Sequence, residues 1–258
     1  MSSDFSEQVS LALKRNLRLL AAEYETADFM KEDPSQFMHR YSEPLDVEIT
    51  AFLAANLAFG RRSCILNCLE KICQAMGGSP TEWLLSKHFE KIFPDNGKSF
   101  YRIYSHRNMR AMCETLRQLT VEYGSLGAYC RRCYENGECA KQPGRLAAVI
   151  ADSFPEACKP LISNGKTSAN KRLNLFLRWM VRRNSPVDTG LWDWYPAEQL
   201  LMPLDTHVVA VAKEFGLVEQ NATPNLKLAI RLTDIMSIVF PKDPLKGDFA
   251  LFGYGIEE

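Results

Sequence analysis

Hydrophobic residues recur along this chain mainly every three to four positions, which is the period of an amphipathic α-helix. Strict alternation of apolar and polar residues, the pattern of a half-buried strand, is scarce. The predicted helices cover residues 5–25, 46–60, 62–76, a short run from 79, 107–123, 124–134, 146–154, 170–183, 205–215, 224–240 and 245–252. The pattern therefore predicts an all-α fold of many short helices joined by compact loops.

Residues that commonly begin or end helices support this division. Asp46 is placed to cap the second helix, and Gly77 and Gly78 follow the third helix, where a glycine often ends one. Pro80 lies at the start of the fourth helix, where its missing N–H costs nothing. The longest stretch without a clear period is residues 184–203. It contains three aromatic residues close together, namely Trp192, Trp194 and Tyr195.

The predicted helix at residues 170–183 has two different faces. Four apolar residues at helical spacing form a stripe that should face the core: Leu173, Phe176, Leu177 and Met180. The opposite face carries four polar residues, Lys171, Asn174, Arg178 and Arg182. A solvated face usually mixes charges of both signs, yet residues 165–183 contain no acidic residue. We therefore expect an exposed basic face that meets an anion such as phosphate.

A short polar turn, residues 163–168, comes directly before this helix. Backbone N–H groups at a helix N-terminus bind phosphate well, and Lys166 adds a positive charge there. By itself the turn is weak evidence for a phosphate-binding site, because many helices begin after serine or threonine.

Asp205 stands immediately before the apolar helix at residues 205–215. Its simplest role is an N-cap, which stabilises a helix by about 1 kcal/mol. A carboxylate held at a helix start is also fixed in place, which suits a catalytic group. The residues leave both roles open, and the two roles are compatible.

Two stretches resemble the signature of the helix-hairpin-helix DNA glycosylases: residues 171–177, KRLNLFL, and residues 203–208, PLDTHV. Proteins similar to endonuclease III and to archaeal 8-oxoguanine glycosylases carry a lysine at the start of the helix after the hairpin. A run like Val-Asp-Thr-His then opens their next helix. Residues 48–56 resemble the early helix of that fold, and residues 247–253 resemble its late helix. The chain also resembles a DUF2400-type bacterial family within or beside this superfamily.

The resemblance implies two packed helical lobes with a helix-hairpin-helix element, forming one unit over residues 1–258. It implies a base-excision DNA glycosylase with AP lyase activity, in which Lys171 forms a Schiff base with the sugar and Asp205 assists. The attacking amine must be neutral, and Arg172 and Arg178 would supply cationic surroundings. The implied partner is double-stranded DNA with an oxidised base, bound by a monomer without a cofactor. The alternative is a non-catalytic DNA-binding protein that retains the fold.

The resemblance also assigns DNA contacts. Asn56 would fill the gap opposite the extruded base. The predicted phosphate contacts are Arg61, Arg62, Gly165, Lys166, Thr167, Ser168, Arg172 and Arg178. The predicted base pocket is lined by Leu175, Trp192 and Trp194. Two alternatives remain open: the tryptophans pack the long loop onto the core, and Arg61 and Arg62 are a solvated helix start. The hairpin departs from the family pattern, because residues 161–165 keep only one glycine.

The eight cysteines are expected to be reduced, since the N-terminus lacks the pattern of a signal peptide and a cytosol disfavours disulfides. Cys64 and Cys68 lie one helical turn apart and are predicted to be buried thiols. Three further cysteines, Cys130, Cys133 and Cys139, have a spacing that could supply three metal ligands or that could belong to free thiols. With no fourth ligand nearby, we predict that these cysteines bind no metal. We also predict a cytoplasmic protein associated with the nucleoid.

Charge composition at first argues against a nucleic-acid partner, because 31 Lys and Arg residues balance 31 Asp and Glu residues. The charges are unevenly placed, however. Acidic residues gather at 23–33, whereas the charges of residues 165–183 are all basic. Zero net charge therefore permits DNA binding and predicts weak non-specific affinity with a shallow dependence on salt.

Overall fold

The computed structural model describes residues 9–138, 144–163 and 167–255. These residues are mostly helical, which confirms the all-α prediction. The α-helices are α1 (Leu11–Tyr24), α2 (Pro44–Leu57), α3 (Arg62–Met76), α4 (Pro80–Leu85), α5 (His106–Tyr123), α6 (Leu126–Glu135), α7 (Arg145–Asp152), α8 (Lys171–Val181), α9 (Thr206–Glu214), α10 (Leu226–Val239) and α11 (Lys246–Tyr254). Short 3-10 helices span Asp28–Glu32, Pro34–Arg40, His88–Lys91, Glu156–Cys158 and Ala197–Gln199.

The chain divides into two compact units. The described part of unit 1 consists of residues 9–29, residue 144 and residues 167–255, and that of unit 2 consists of residues 30–138 and 145–163. Unit 1 contains α1 and α8 to α11, and unit 2 contains α2 to α7. Within the described ranges, no helix combines the length and the apolar composition that crossing a membrane requires.

The start of α2 differs from the prediction. The helix begins at Pro44, whose fixed φ suits the first turn, so Asp46 lies inside that turn and the prediction of an Asp46 N-cap is wrong. The Asp46 carboxylate is buried and stabilises a different helix. It accepts hydrogen bonds from the backbone N of Thr81 at 2.7 Å and from its Oγ1 at 2.5 Å. Thr81 belongs to the first turn of α4, so Asp46 joins α2 to α4.

Glu48 joins α2 to a second helix in the same way. Residues 46–57 of α2 are buried on all sides, as expected for a helix in the middle of a core. The Glu48 Oε1 atom accepts a hydrogen bond from the backbone N of Leu126 at 2.9 Å, and Oε2 accepts one from Gly127 at 3.1 Å. A buried carboxylate therefore satisfies free N–H groups at the positive end of α6.

Unit 2 also contains a β-hairpin that the hydrophobic pattern does not reveal. Strands β1 (Ser99–Tyr101) and β2 (Tyr104–Ser105) pair antiparallel, with Arg102 and Ile103 between them. The strands are too short for alternation to be detected. Ser105 then caps α5 by accepting a hydrogen bond from the Asn108 N–H, so the hairpin leads directly into that helix.

Unit 1 is held together by close packing of α11 against α1 and α10. A Cβ atom on Gly253 would lie 2.2 Å from Cγ of Tyr24, and one on Gly247 would lie 2.4 Å from Sδ of Met236. Only glycine permits these approaches without a shift of neighbouring atoms. The core of the unit includes Leu17, Ala21, Val208, Ala212, Leu232, Met236 and Leu251.

Candidate active site

Lys171 is the first residue of α8. Asn170 precedes it in the left-handed conformation, with φ of 45°, and its backbone N donates a hydrogen bond to Ser168 Oγ at 3.1 Å. Asparagine tolerates this conformation better than most residues. The chain thus turns sharply just before Lys171, and the lysine lies at the partly exposed start of a mostly buried helix.

Asp205 is the N-cap of α9, which confirms the structural role predicted from its position. Its Oδ1 atom accepts a hydrogen bond from the Val208 backbone N at 2.9 Å. Its Oδ2 atom lies 2.7 Å from Nζ of Lys171. The two side chains are partly accessible, with 32% of Lys171 and 15% of Asp205 exposed. One carboxylate oxygen therefore fixes the side chain to α9 while the other meets the amine.

The remainder of the polar face of α8 turns inward. Asn174, Arg178 and Arg182 are each no more than 2% exposed, so the polar face of this helix is buried beyond its first turn. The prediction of an exposed basic face is therefore wrong, and so is the prediction that Arg178 contacts DNA phosphate. Burying a guanidinium is costly unless anionic groups lie beside it, and the structure supplies them.

Arg178 is paired with two buried carboxylates. Its Nε atom lies 3.2 Å from Oδ1 of Asp188, which belongs to the loop after α8, and its Nη1 atom contacts Oδ2 of Asp248 in α11. The guanidinium carbon also lies 4.4 Å from the centre of the Phe249 ring. The positive charge of Arg178, which was predicted to meet an external phosphate, is therefore balanced by carboxylates inside unit 1.

Arg182 extends this ion-pair network by one further turn of α8. Its Nη1 atom contacts Oδ2 of Asp188, and its Nη2 atom lies 2.8 Å from both Glu25 and Asp243. Two guanidinium groups therefore share four carboxylates, including Asp248. We call these six residues, Glu25, Arg178, Arg182, Asp188, Asp243 and Asp248, the buried ion network.

The carboxyl groups of the network do not ionise equally. Burial raises the pKa of Asp248 to about 6, against the opposing attraction of Arg178. Burial also raises the pKa of Asp188, again opposed by the two arginines. The Asp248 carboxyl group senses Asp205, which raises its pKa, and Lys171, which lowers it. The ionisation of Asp248 therefore depends mainly on burial and Arg178, with smaller contributions from Asp205 and Lys171.

Sequence reasoning missed Asp188 and Asp248 for an identifiable reason. Helical spacing placed the arginines on one face but could not show what that face packs against. Asp188 lies in the aperiodic stretch at 184–203, and Asp248 lies in a largely apolar helix. A carboxylate in a segment that is otherwise apolar was the available signal, because such groups are rarely buried without a cationic partner.

A family model described as "Protein of unknown function (DUF2400)" matches residues 33–257, which include α8, Asp205 and the late helix α11. The chain belongs to the DUF2400 family. Neither the curated proteins nor the solved structures gave a significant match. The resemblance of this DUF2400 chain to the DNA glycosylases therefore stays a prediction from the sequence motifs around Lys171 and Asp205.

The aromatic residues predicted for a base pocket pack the 184–203 loop of this DUF2400 protein. Trp192 is 3% exposed, meets the ring of Phe176 edge-on at 5.2 Å and donates its backbone N–H to the Met180 carbonyl. Trp194 is half-buried and stacks on Trp192 at 5.6 Å. The alternative that the tryptophans pack the long loop onto the core therefore holds for Trp192. Its burial contradicts the prediction that it lines an accessible base pocket. Leu175, in the first turns of α8, is half-buried.

Predicted DNA contacts of unit 2 have mixed outcomes. Asn56 is fully buried and donates a hydrogen bond from Nδ2 to the Phe52 carbonyl at 2.8 Å, so the prediction that it faces DNA is wrong. The helix that carries Asn56, α2, ends inside the core, so Asn56 is buried there as well. Arg61 is exposed at the N-cap of α3. Arg62 forms a surface ion pair with Glu32 at 2.9 Å.

The hairpin-like turn before α8 is only partly described. Gly165 and Lys166 lie outside the described residues. Thr167 is exposed, and its carbonyl accepts a hydrogen bond from the backbone N of Leu226 at 2.9 Å. Ser168 accepts the hydrogen bond from the residue preceding Lys171. Arg172 is half-buried. The helix-hairpin-helix element stays a prediction.

An exposed surface of unit 2 was not predicted. Phe59 is 41% exposed, and the guanidinium of Arg102 lies 4.7 Å from the centre of its ring. Ile103, beside Arg102 at the turn of the hairpin, is 68% exposed. The nearby Tyr101 hydroxyl donates a hydrogen bond to the Phe59 carbonyl at 2.8 Å, which ties the hairpin to the end of α2. We call Phe59, Arg102 and Ile103 the hairpin surface.

The cysteines differ from the predicted pattern in one position. Cys64 is exposed, so the prediction that it is buried is wrong, whereas Cys68 is buried. The buried stripe of α3 is centred on Ile65 and Leu69, and Cys64 lies outside it. The C-x2-C pair of α6, Cys130 and Cys133, is buried.

The predicted third member of the cysteine triplet, Cys139, lies outside the described residues. In the ranges that the structure describes, no group of three or more His, Cys, Asp and Glu side chains could hold a metal ion. Burial raises the pKa of the Cys133 thiol, which disfavours the thiolate that metals bind.

Proposed function

We propose that this chain is a DNA glycosylase with AP lyase activity that acts on an oxidised base in double-stranded DNA. Lys171 is the nucleophile, and Asp205 is its proton acceptor. The observation that carries the proposal is the 2.7 Å distance between Lys171 Nζ and Asp205 Oδ2 at a partly accessible helix start. These residues are 34 positions apart in the sequence, so their meeting is a property of the fold.

The proposed reaction begins with transfer of a proton from Lys171 to Asp205. The neutral amine attacks C1′ of the nucleotide, the C1′–N bond to the base breaks, and its electron pair leaves with the base, which takes up a proton. Nζ then gives up a proton, O4′ takes up a proton as the C1′–O4′ bond breaks, and this opening of the sugar ring leaves an iminium ion between Nζ and C1′. Loss of a C2′ proton then expels the 3′ phosphate by β-elimination, and water releases the lysine.

Asp205 suits this role because one of its oxygens is already restrained. The hydrogen bond from the Val208 N–H holds Oδ1, so the carboxylate cannot rotate freely and Oδ2 stays directed at Lys171. A fixed carboxylate close to C1′ would also stabilise positive charge that develops on the sugar. The cap and the catalytic role are therefore served by different atoms of one side chain.

The hairpin surface is the proposed DNA contact of unit 2. Exposed aromatic and guanidinium groups are the side chains that stack on bases and bind phosphates, and Ile103 adds an apolar tip. We expect Ile103→Asp to weaken binding of a lesion-containing duplex about tenfold. Val121→Asp is the matched control, because Val121 is 63% exposed on α5 of the same unit. Equal affinities of both variants would remove the hairpin surface from the proposal.

Borohydride trapping tests the proposed function directly. Borohydride delivers a hydride to the iminium carbon and leaves a stable amine, so the protein becomes covalently joined to damaged DNA. We expect an adduct with at least one oxidised purine or pyrimidine, loss of that adduct in Lys171→Ala, and its retention in Lys227→Ala, which changes a fully exposed lysine of unit 1. An adduct that survives Lys171→Ala would refute the assignment.

Asp205→Asn separates the catalytic role from the cap. The amide oxygen can still accept the Val208 hydrogen bond, so helix α9 should remain capped. Without a proton acceptor, we expect trapping to slow by roughly two to four orders of magnitude. Salt-dependent DNA binding with no adduct across the lesion panel would instead support the alternative, a non-catalytic DNA-binding protein with this fold.

A further inference from the structure

Helix α1 has an outer side that its packing in unit 1 leaves exposed. Leu17 and Ala21 bury the inner side in the core of the unit, and both are no more than 2% exposed. Leu19 lies two positions from each of them, which at about 100° per residue places it almost opposite to both. Leu19 is 59% exposed. The helix therefore packs by one side and presents a leucine to solvent from the other.

The residues next to Leu19 on this side carry opposite charges. Arg15 lies one turn before Leu19 and Glu23 one turn after it, and both are exposed. Neither forms an ion pair with another described residue. Ala12 and Ala22, which are also exposed on this side, are small enough to let another helix come close. We call Ala12, Arg15, Leu19, Ala22 and Glu23 the outer face of α1.

The outer face of α1 is complementary to itself. When two copies of α1 meet antiparallel about a twofold axis at Leu19, each Leu19 contacts its counterpart. Arg15 then lies opposite the partner's Glu23, and Glu23 opposite the partner's Arg15, because both charges are four positions from the axis. A parallel pair would instead bring like charges together, which is unfavourable. The order of charges along the helix therefore selects the antiparallel arrangement.

A second copy fits this face better than a polyanion does. Nucleic acids and anionic membrane surfaces attract faces whose charges are all basic. On the outer face of α1 the charge of Arg15 is matched by that of Glu23, which a polyanion would repel. A suitable partner presents an apolar residue between an acidic and a basic group in the reverse order. The same helix, read in the opposite direction, meets this requirement.

We infer that the outer face of α1 is a self-association surface, through which two copies of this chain form a twofold-symmetric dimer. Each copy uses the same residues, so the contact closes at two chains. The helix has 14 residues and is therefore about 21 Å long, which makes the interface smaller than a stable one. We expect a weak dimer, half-formed at roughly 10–200 µM protein. This differs from the monomer that the glycosylase resemblance implies, and it does not depend on the proposed reaction.

Sedimentation equilibrium of the full-length protein without DNA measures this association. The mass of one chain is 29.3 kDa. From about 5 µM to about 500 µM protein, we expect the weight-average mass to rise from this value towards twice this value. A mass that stays at that of one chain over the whole range would overturn the inference.

Leu19→Asp tests the contact at the twofold axis. Two carboxylates would then face each other in place of two leucines, so we expect association to weaken at least about tenfold. Val121→Asp is the matched control, because Val121 is 63% exposed on α5 of unit 2, and it should associate like the wild type. Both positions are exposed, and circular dichroism verifies that both variants fold. Equal association of the two variants would place the contact elsewhere and refute the assignment.

Charge reversal tests the antiparallel register. Arg15→Glu and Glu23→Arg each place like charges opposite one another at two points of the dimer, so each should weaken association roughly three- to tenfold. The double variant restores both opposite-charge pairs in reversed order and should associate like the wild type. A double variant that is as weak as the single variants would contradict the register.

DNA binding distinguishes self-association from a phosphate contact. Lys227→Glu makes the same charge change at an exposed lysine of α10. A chain that stays monomeric, and that binds duplex DNA more weakly in Arg15→Glu than in Lys227→Glu, would make Arg15 a phosphate contact and overturn the dimer. Conversely, a dimer that responds to these variants stands even if borohydride traps no adduct with any lesion.

Discussion

Replacement of Asp248 should change how the stability of unit 1 depends on pH. The pKa of this carboxyl group is about 6 in the folded protein, compared with an ordinary value of 3.8. A difference of about two pKa units corresponds to about 3 kcal/mol. Because the folded value is the higher one, the folded state binds the proton more tightly than the unfolded state, and uptake of that proton stabilises the fold.

The sign of the pH dependence follows from this difference. The stabilisation is complete below about pH 3.8 and is lost as the pH rises through about 6. Asparagine in place of Asp248 cannot take up the proton. Between pH 7.5 and pH 4.5, the wild type should therefore gain about 2 kcal/mol in its free energy of unfolding relative to Asp248→Asn.

Urea denaturation at several pH values, followed by tryptophan fluorescence, measures this difference. Three of the four tryptophans, Trp179, Trp192 and Trp194, belong to unit 1, so the signal reports mainly on the unit that contains Asp248. Asp243→Asn is the control and should show no comparable gap. A difference between wild type and Asp248→Asn that is constant with pH, or that shrinks on acidification, would refute the charge assignment.

Three further predictions test the packing described for the two units. In urea denaturation, Gly253→Ala should lower the free energy of unfolding by about 1–3 kcal/mol, because the new Cβ would overlap a tyrosine ring. Gly78→Ala is the control, and it should change that free energy by less than about 0.5 kcal/mol because Gly78 has open space around it. Glu48→Gln should cost about 1–2 kcal/mol, since a charged acceptor at the start of α6 is lost, and an unchanged urea midpoint would contradict that. Iodoacetamide should alkylate Cys64 in the folded protein and spare Cys113, where burial raises the thiol pKa; equal labelling by mass spectrometry would contradict the burial.

Local sequence signals predicted most of the helices and the start of the site. The beginning of α8 at Lys171 and the cap of α9 by Asp205 both depend on residues within a few positions of each other. Periodicity and capping are short-range effects, so they can be read from the chain directly. The strands around Arg102 were missed because each spans at most three residues, too few for a period to be detected.

Long-range partners explain the predictions that failed. Asn56 was expected at a DNA surface, but residues 46–57 of the helix that carries it are all buried by their neighbours. Asp46 was expected to cap its own helix, but its carboxylate accepts hydrogen bonds from Thr81, 35 positions away. In both cases the local pattern was compatible with several surroundings, and packing between helices selected one of them.

The sequence by itself determined where the helices lie and placed a lysine and an aspartate at two helix starts. Only the tertiary structure decided that these two side chains meet and that the polar face of α8 is internal. The carboxylates that bind Arg178 and Arg182 are 6 to 157 positions away, on the following loop, on α11 and after α1. The helical period determines which residues share a face. Buried arginines on that face must be stabilised by carboxylates, and the fold decides which distant segments supply them.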